Sequence, residues 1–229
     1  MKRLPPIFIT GLPRSGTSMT AGILNKLGVF AGETISGGPA NPKGFYENIV
    51  IREQIVKSIL SFYGKCPLGI KSLPPIDFNP NVLINKQTLS DVLYNVILDQ
   101  GYSGSLPFMY KDPKLTLMWR IFHSNFPNAY WIIVRRNRSD FIRSCLKTHF
   151  MFQHSKDPSF WHEIADTYET RLNDLQNSTN RCVEISTDDV INGDYRSIET
   201  FCKTVSVPFS YEIVTDFVEP KFWRRPSYD

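Results

Sequence analysis

The chain has 229 residues, of which 41% are hydrophobic and 21% are charged, and its formal net charge is +4. This length fits one α/β domain over residues 1–229, and the composition is typical of a globular protein with a buried core. The positive charge is mild and dispersed along the sequence. It suits a small anionic ligand and argues against nucleic acid as a partner.

The cysteines and the N-terminal residues suggest where the protein resides. Four scattered cysteines form no CxxC pair, which predicts reduced thiols. The chain opens with Met1, Lys2 and Arg3, the first strand-like segment begins soon afterwards at residue 6, and no run of 18 apolar residues occurs. We therefore expect a cytoplasmic protein without an integral membrane segment. The sequence carries no signal for an oligomeric state.

A strand, a glycine-bounded loop and a helix open the chain. Residues 6–10 form a short β-branched and aromatic run that predicts a buried strand. Residues 17–27 carry apolar side chains at the spacing of one helix face, and Gly28 ends this predicted helix. This order of elements is typical of the first unit of a nucleotide-binding α/β domain.

Alternating helices and strands follow. Residues 32–44 and 66–80, rich in Gly or Pro, are predicted to be irregular. Helices are predicted over residues 48–63, 86–98, 115–126, 139–148 (with Ser139 as N-cap), 159–175, 195–205 and 211–218, and strands over 108–110, 129–134 and 183–186. The unbroken apolar run at 129–134 indicates a strand buried on both faces. The sequence thus predicts a three-layer α/β fold, a central parallel sheet flanked by helices, as in P-loop NTPases.

Residues 11–18 have the G-x-x-x-x-G spacing of a Walker A loop, between a predicted strand and helix. Such a loop turns backbone N–H groups toward a ligand phosphate at the helix N-terminus. Thr17 and Ser18 stand where a Walker loop has Lys-Ser/Thr, so the Walker lysine is missing. Arg14 supplies a cation from a different position in the loop.

A second segment, residues 132–144, is an apolar strand followed by an arginine-rich helix start. It is similar to the 3′-phosphate-binding element of sulfotransferases that use 3′-phosphoadenosine-5′-phosphosulfate (PAPS), an apolar strand and then Arg-Asn/Asp-Pro-x-Asp-x-x-x-Ser. Arg136, Asp140 and Ser144 match that pattern, and Arg138 stands where the family usually has proline. Residues 13–18 likewise resemble the family's 5′-phosphosulfate loop.

Two further segments, residues 41–47 and 110–114, resemble the bacterial-type branch of this family. The resemblance implies in-line transfer of a sulfuryl group from PAPS to a hydroxyl or amine, with 3′,5′-ADP as product and no metal requirement. The acceptor would be a small molecule, a carbohydrate or a peptide. The residues implied in donor binding are Pro13, Arg14, Ser15, Gly16, Thr17, Ser18, Arg136 and Ser144.

Two catalytic residues are predicted. Arg14 would stabilise charge on the leaving oxygen, as the family's lysine or arginine does at this position. Glu47, which follows the Gly/Pro loop, is the first candidate for the base; Asp112 is the second, and His149 or His154 the third. The basic segment 221–225 resembles one that closes over the nucleotide in many sulfotransferases, and an ordinary basic tail is the alternative.

Two other functions stay open at this stage. A P-loop kinase of a nucleoside or small metabolite would bind Mg-ATP and ignore a 3′-phosphate, with Asp112 as its candidate magnesium carboxylate. A non-catalytic nucleotide-binding protein would keep both phosphate sites and lack the base.

Overall fold

The computed structural model describes residues 3–38 and 41–219. Its strands are β1 (Ile7–Gly11), β2 (Leu83–Ile84), β3 (Gln87–Thr88), β4 (Met109–Lys111), β5 (Tyr130–Arg135) and β6 (Cys182–Ser186). The four longer strands form a parallel sheet in the order β4-β1-β5-β6, and β2 pairs with β3 as an antiparallel hairpin.

Helices connect these strands. They are α1 (Thr17–Lys26), α2 (Lys57–Phe62), α3 (Leu89–Asp99), α4 (Trp119–Asn125), α5 (Arg138–Lys147), α6 (His149–Phe152), α7 (Pro158–Ser178), α8 (Thr187–Ile191), α9 (Arg196–Thr204) and α10 (Tyr211–Phe217). A π-helical segment, Ile51–Val56, leads into α2, and a 3₁₀ segment, Pro113–Leu117, precedes α4. Within the described ranges, no helix is long and apolar enough to cross a bilayer.

Each face of the sheet packs against its own hydrophobic cluster. Side chains alternate along a strand, so Ile7 and Ile9 of β1 point into one cluster and Phe8 into the other. On β5, Ile132 joins the first cluster and Trp131 the second. The first cluster is completed by α1, α9 and α10, and the second by α3, α4 and α7. The predicted three-layer fold with a central parallel sheet is thereby confirmed.

Two predicted helices have different starts. The helix predicted from Ser139 begins at Arg138, and its cap is Asn137, whose side chain accepts a hydrogen bond from the Ser139 N–H at 2.9 Å. The helix predicted from residue 86 begins at Leu89 because Thr88 acts as its cap and accepts from the Asp91 N–H. The prediction of Ser139 as N-cap was therefore wrong, because the Asn137 side chain already accepts the hydrogen bond of the Ser139 N–H.

Two predicted helices are also less regular than expected. The first part of the helix over 48–63 is the π-helical segment. The helix over 115–126 is divided at Met118, whose φ of −136° lies outside helical values. Asp112 caps the short 3₁₀ segment before this break by accepting from the Lys114 N–H, and Pro113 occupies its first position.

The parallel arrangement explains how distant segments meet. β1, β4 and β5 end at Gly11, Lys111 and Arg135, and adjacent parallel strands bring their carboxyl ends to one edge of the sheet. Ligands of open α/β sheets bind outside this edge. The residues after each of these strands are therefore the ones to test for a common site.

Candidate active site

The loop between β1 and α1 has a backbone shape that requires glycine. At Gly11, a Cβ atom would lie 2.5 Å from the carbonyl oxygen of Val134. Gly16 has a φ of 101° and Arg14 a φ of 66°, both in the left-handed region. α1 begins directly afterwards at Thr17, and Gly16 provides no side-chain cap. The first N–H groups of α1 thus lack a partner within the helix and can receive a bound anion.

Residues outside the loop fix its orientation. Arg136 Nη1 donates a hydrogen bond to the carbonyl oxygen of Arg14 at 2.8 Å, and Thr187 Oγ1 donates to the carbonyl oxygen of Ser15. These bonds tie the loop to the residue after β5 and to the start of α8. They use the carbonyl side of the loop peptides and leave the free N–H groups at the start of α1 for a ligand.

Arg14 and Ser144 come from the two predicted phosphate segments and contact each other. Arg14 Nε donates to Ser144 Oγ at 3.2 Å, although 130 positions separate the two residues. Both line a cavity of about 1180 Å³, together with Arg136. Burial lowers the pKa of both arginines below its ordinary value, yet arginine stays charged in proteins. The guanidinium groups of Arg14 and Arg136 and the hydroxyl of Ser144 thus line the same cavity.

Most of the predicted loop residues reach this cavity. Its wall includes Pro13, Gly16, Thr17 and Ser18. Ser15 lies below it: its side chain is buried, and its N–H donates to the Leu12 carbonyl oxygen at 3.1 Å. The Ser15 hydroxyl has no hydrogen-bond partner within the described part of the chain. Ser15 therefore stabilises the turn of the loop and is not part of the cavity wall.

The cavity collects positive charge. Eight Lys or Arg side chains and three carboxylates line it, a formal balance of +5, against +4 for the whole chain. The cations are Arg14, Lys43, Arg52, Lys111, Lys114, Arg136, Arg143 and Lys147, and the carboxylates are Glu47, Asp140 and Glu219. The charge that looked dispersed in the sequence is concentrated in space, as a multiply anionic ligand requires.

Glu47 lies in the cavity wall and is bound by two cations. Its Oε1 is 2.8 Å from Lys111 Nζ, and its Oε2 is 2.7 Å from Arg52 Nε. Burial by itself would raise the pKa of this carboxyl, and Lys111, Lys114 and Arg52 outweigh it, so the pKa lies below its ordinary value. Glu47 is consequently ionised at neutral pH although only 7% of it is exposed.

The other candidate bases occupy different places. Asp112 is fully buried, outside the cavity wall, and its carboxylate accepts from the Tyr110 hydroxyl at 2.9 Å and pairs with Lys114 Nζ at 2.8 Å. The Lys114 N–H also donates to this carboxylate, so both of its oxygens are already hydrogen-bonded. His149 and His154 both line the cavity. Burial, together with nearby Lys71, lowers the pKa of His154 below 6.5.

Among the cavity cations that sequence reasoning did not assign to the site, two contact Glu47. Lys111 is 1% exposed and Arg52 is partly buried, and both contact Glu47. Lys111 could have been found, because it is the last residue of β4 and shares the sheet edge with the phosphate loop. Arg52 could not, since it lies in the π-helical segment, where α-helical spacing does not apply. The basic segment 221–225 lies outside the described residues.

Comparisons with known proteins concern the sequence family and the fold. The sulfotransferase family model matches residues 5–209. The sulfotransferase domain of the olefin synthase from Synechococcus PCC 7002 superposes with a TM-score of 0.60 and 16% identity, over 100% of this chain and 85% of that one. The sulfotransferase domain from the curacin biosynthetic pathway gives 0.59 and 14%, over 93% and 77%.

A third structure, sulfotransferase STF1 from Mycobacterium tuberculosis H37Rv, has a TM-score of 0.53 and 12% identity, covering 95% of this chain and 71% of its own. No curated protein matches the chain. At such identities the solved structures show a common fold, whereas the family match spans most of the sequence. The chain therefore belongs to the sulfotransferase family and is an enzyme that transfers a sulfuryl group.

Proposed function

We propose that this enzyme is a single sulfotransferase domain whose donor is PAPS. The 5′-phosphosulfate binds the loop over residues 11–18, and the 3′-phosphate binds Arg136 and Ser144. The hydrogen bond between Arg14 and Ser144 carries this proposal, because it joins the two segments inside one cavity. The two phosphates of PAPS are attached to one ribose, so their binding sites must be neighbours.

The residues present fit such a donor. The start of α1 offers uncapped N–H groups for the 5′ end. Arg136 can hold the 3′-phosphate with paired N–H donors, and Ser144 can add a hydroxyl donor. A cavity of about 1180 Å³ exceeds the roughly 300–1000 Å³ of most small-molecule sites, so donor and acceptor can be bound together.

The reaction that we propose is an in-line displacement at sulfur. The acceptor oxygen attacks sulfur and forms the new S–O bond while the bridging S–O bond breaks. The electron pair of the broken bond stays on the 5′-phosphate oxygen of the leaving 3′,5′-ADP. Arg14 stabilises the charge on that leaving oxygen. The surrounding lysines and arginines supply positive charge, so we propose that no metal is required.

Glu47 is the proposed base. It is ionised and lines the cavity. A carboxylate has about four acceptor positions; Lys111 donates to one of them, and Arg52 adds an ion pair. It can therefore take the acceptor's proton while both cations hold it in place. His154 is the second candidate, because it also lines the cavity and its lowered pKa leaves it neutral at pH 7.

Calorimetry can test the donor. We expect 3′,5′-ADP to bind at least about 30-fold more tightly than ADP, because each charge-assisted hydrogen bond to the 3′-phosphate contributes about 1.5–3 kcal/mol. Mg-ATP should bind no better than ADP. Equal affinity for ADP and 3′,5′-ADP would reject the 3′ site, and a preference for Mg-ATP would indicate a different donor.

The pH profile can identify the base. With PAPS saturating, the single-turnover rate constant should be flat from pH 7 down to pH 5.5, because a lowered carboxyl pKa keeps Glu47 ionised throughout this range. The rate constant should fall only near the pKa of Glu47, which lies below the ordinary carboxyl value of 4.5. A fall that begins just below pH 6.5 would instead assign the base to a histidine, and His154→Asn should then remove that limb.

A further inference from the structure

Tyr46, the residue before Glu47, has a strained backbone. Its φ is 55°, in the left-handed region, which is unfavourable for any residue with a Cβ atom and rare for a bulky one. Such strain persists only where surrounding contacts hold it, and it clusters at functional sites. Because Glu47 follows directly, the conformation of Tyr46 sets the direction in which the Glu47 side chain leaves the backbone.

Tyr46 also interrupts an antiparallel pairing. The Phe45 N–H donates to the Ile35 carbonyl oxygen at 3.2 Å, and the Ile35 N–H donates to the Glu47 carbonyl oxygen at 3.0 Å. In a regular pair, one residue would exchange both bonds with Ile35. Here the bonds go to two residues with Tyr46 between them, so the pairing is bulged, and bulges beside active sites re-aim a side chain.

The Tyr46 ring is packed against α1 and α10. Its centroid lies 6.3 Å from that of Phe217, with the two rings edge to face. A Cβ atom at Gly22 would lie 2.3 Å from the Phe217 ring and 2.8 Å from the Tyr46 ring, so both rings rest directly on the backbone of α1. Phe45 and Glu47 line the cavity, whereas Tyr46 lies outside its wall. Any effect of Tyr46 on the reaction is therefore indirect.

We propose that Tyr46 is a positioning residue for Glu47. Its left-handed backbone, held by packing of its ring against Phe217 and α1, directs the carboxylate toward Lys111 and Arg52. The two cations lie 2.8 and 2.7 Å from the carboxylate oxygens, so a change in the direction of the side chain breaks both contacts. This inference rests on the proposed function, in which Glu47 is the base.

Two substitutions separate the backbone of Tyr46 from its ring. Tyr46→Ala removes the ring and leaves a residue for which the left-handed conformation is unfavourable. Tyr46→Gly removes the ring as well, but glycine adopts this conformation freely. We therefore expect Glu47 to be displaced in the alanine variant and largely retained in the glycine variant. A residue that only fills space would give the opposite order or no difference, because glycine is the smaller and more flexible of the two.

NMR can locate Glu47 without any choice of acceptor. The protein is labelled at the glutamate side-chain carboxyl carbon, and the Glu47 resonance is assigned by its loss in Glu47→Gln. Burial would raise the pKa of Glu47, and three cations outweigh it, namely Lys111, Lys114 and Arg52. In Tyr46→Ala the carboxylate leaves these cations, so its titration midpoint should rise by at least about one pH unit. In Tyr46→Gly the midpoint should return toward that of the unmodified enzyme.

Hydrolysis of PAPS provides the kinetic readout. With enzyme in excess, water attacks sulfur and Glu47 takes its proton, and labelled sulfate is released as 3′,5′-ADP leaves with the electron pair of the broken bond. Tyr46→Ala should lower this rate constant about 100-fold, as for a reacting group displaced by about 1 Å. Tyr46→Gly should be at least about fivefold faster than Tyr46→Ala. Binding of 3′,5′-ADP should be unchanged in both variants.

Lys86 is the matched control. It has a φ of 65° and lies in the turn between β2 and β3, outside the cavity wall. Lys86→Ala and Lys86→Gly should hydrolyse PAPS within about twofold of the original rate. If Tyr46→Ala is unfolded at the assay temperature, Tyr46→Asn and Tyr46→Thr repeat the comparison, because asparagine tolerates the left-handed region and β-branched threonine does not. An equal midpoint and an equal rate within the chosen pair overturn the inference.

The Glu47→Gln variant separates this inference from the proposed function. If Glu47→Gln is slow and the alanine and glycine variants at position 46 behave alike, Glu47 remains the base and Tyr46 does not position it. If a folded Glu47→Gln variant hydrolyses PAPS at the original rate, the assignment of the base itself fails.

Discussion

Replacement of Glu47 by glutamine should slow single-turnover transfer from PAPS by about 1,000-fold, within the range of general-base contributions. The amide keeps the size of the side chain and cannot accept the acceptor's proton. Binding of 3′,5′-ADP should change little, because Glu47 is not among the residues proposed for the donor. The measurement is a rapid-quench assay with enzyme in excess over labelled donor, beside a calorimetric titration of the nucleotide.

The matched control for this variant is Glu53→Gln. Glu53 is close in sequence and exposed, and it pairs with Lys57 at 2.8 Å and with Arg52. Because Arg52 also pairs with Glu47, it has a carboxylate partner without Glu53, and the rate should stay nearly unchanged. Glu47→Gln also leaves buried Lys111 without its partner carboxylate, and some loss of stability is expected. Thermal unfolding therefore has to show that the variant is folded at the assay temperature. Full activity in a folded Glu47→Gln variant would exclude Glu47 as the base.

Arg136→Ala should abolish the preference for 3′,5′-ADP over ADP. Loss of the charge-assisted pair would cost about 2–4 kcal/mol, which is roughly 30- to 1,000-fold in the dissociation constant. Arg136 also donates to the Arg14 carbonyl oxygen, so the variant could disturb the loop. The two nucleotides separate these effects, because a disturbed loop weakens both, whereas a lost 3′ site weakens 3′,5′-ADP alone.

Arg135→Ala provides the neighbouring control. Arg135 is the last residue of β5, yet its side chain bonds to Glu184 at 3.1 Å and to Asn173 at 2.7 Å, outside the cavity wall. Nucleotide affinities should stay within about twofold of the original, as for surface substitutions away from a site. If Arg135→Ala and Arg136→Ala behave alike, the 3′-phosphate assignment is wrong.

The fold could be predicted from the sequence because its signals are local and repeated. The apolar run at 129–134 belongs to a strand buried on both faces, and its short length and its β-branched and aromatic residues favour a strand over a helix. Residues 11–18 specify a turn by glycine placement. Their meeting with Ser144 could also be anticipated, since parallel strands bring their ends to one edge.

The electrostatic environment of the site could not be predicted. The pairing of Glu47 with Lys111 and Arg52 depends on where three separate segments lie in space, and no spacing in the sequence records it. Asp112 looked available at a strand end, and its near neighbours Tyr110 and Lys114 enclose it. These contacts are local, but they depend on the turn after β4 that directs both side chains toward the carboxylate.

The accumulation of cations around the cavity also affects how fast the enzyme can turn over. A field that attracts a multiply charged nucleotide raises its rate of capture. With the proposed donor PAPS, the product 3′,5′-ADP keeps both of its phosphates, so the same field should slow its release. Added salt should then hasten this release by screening.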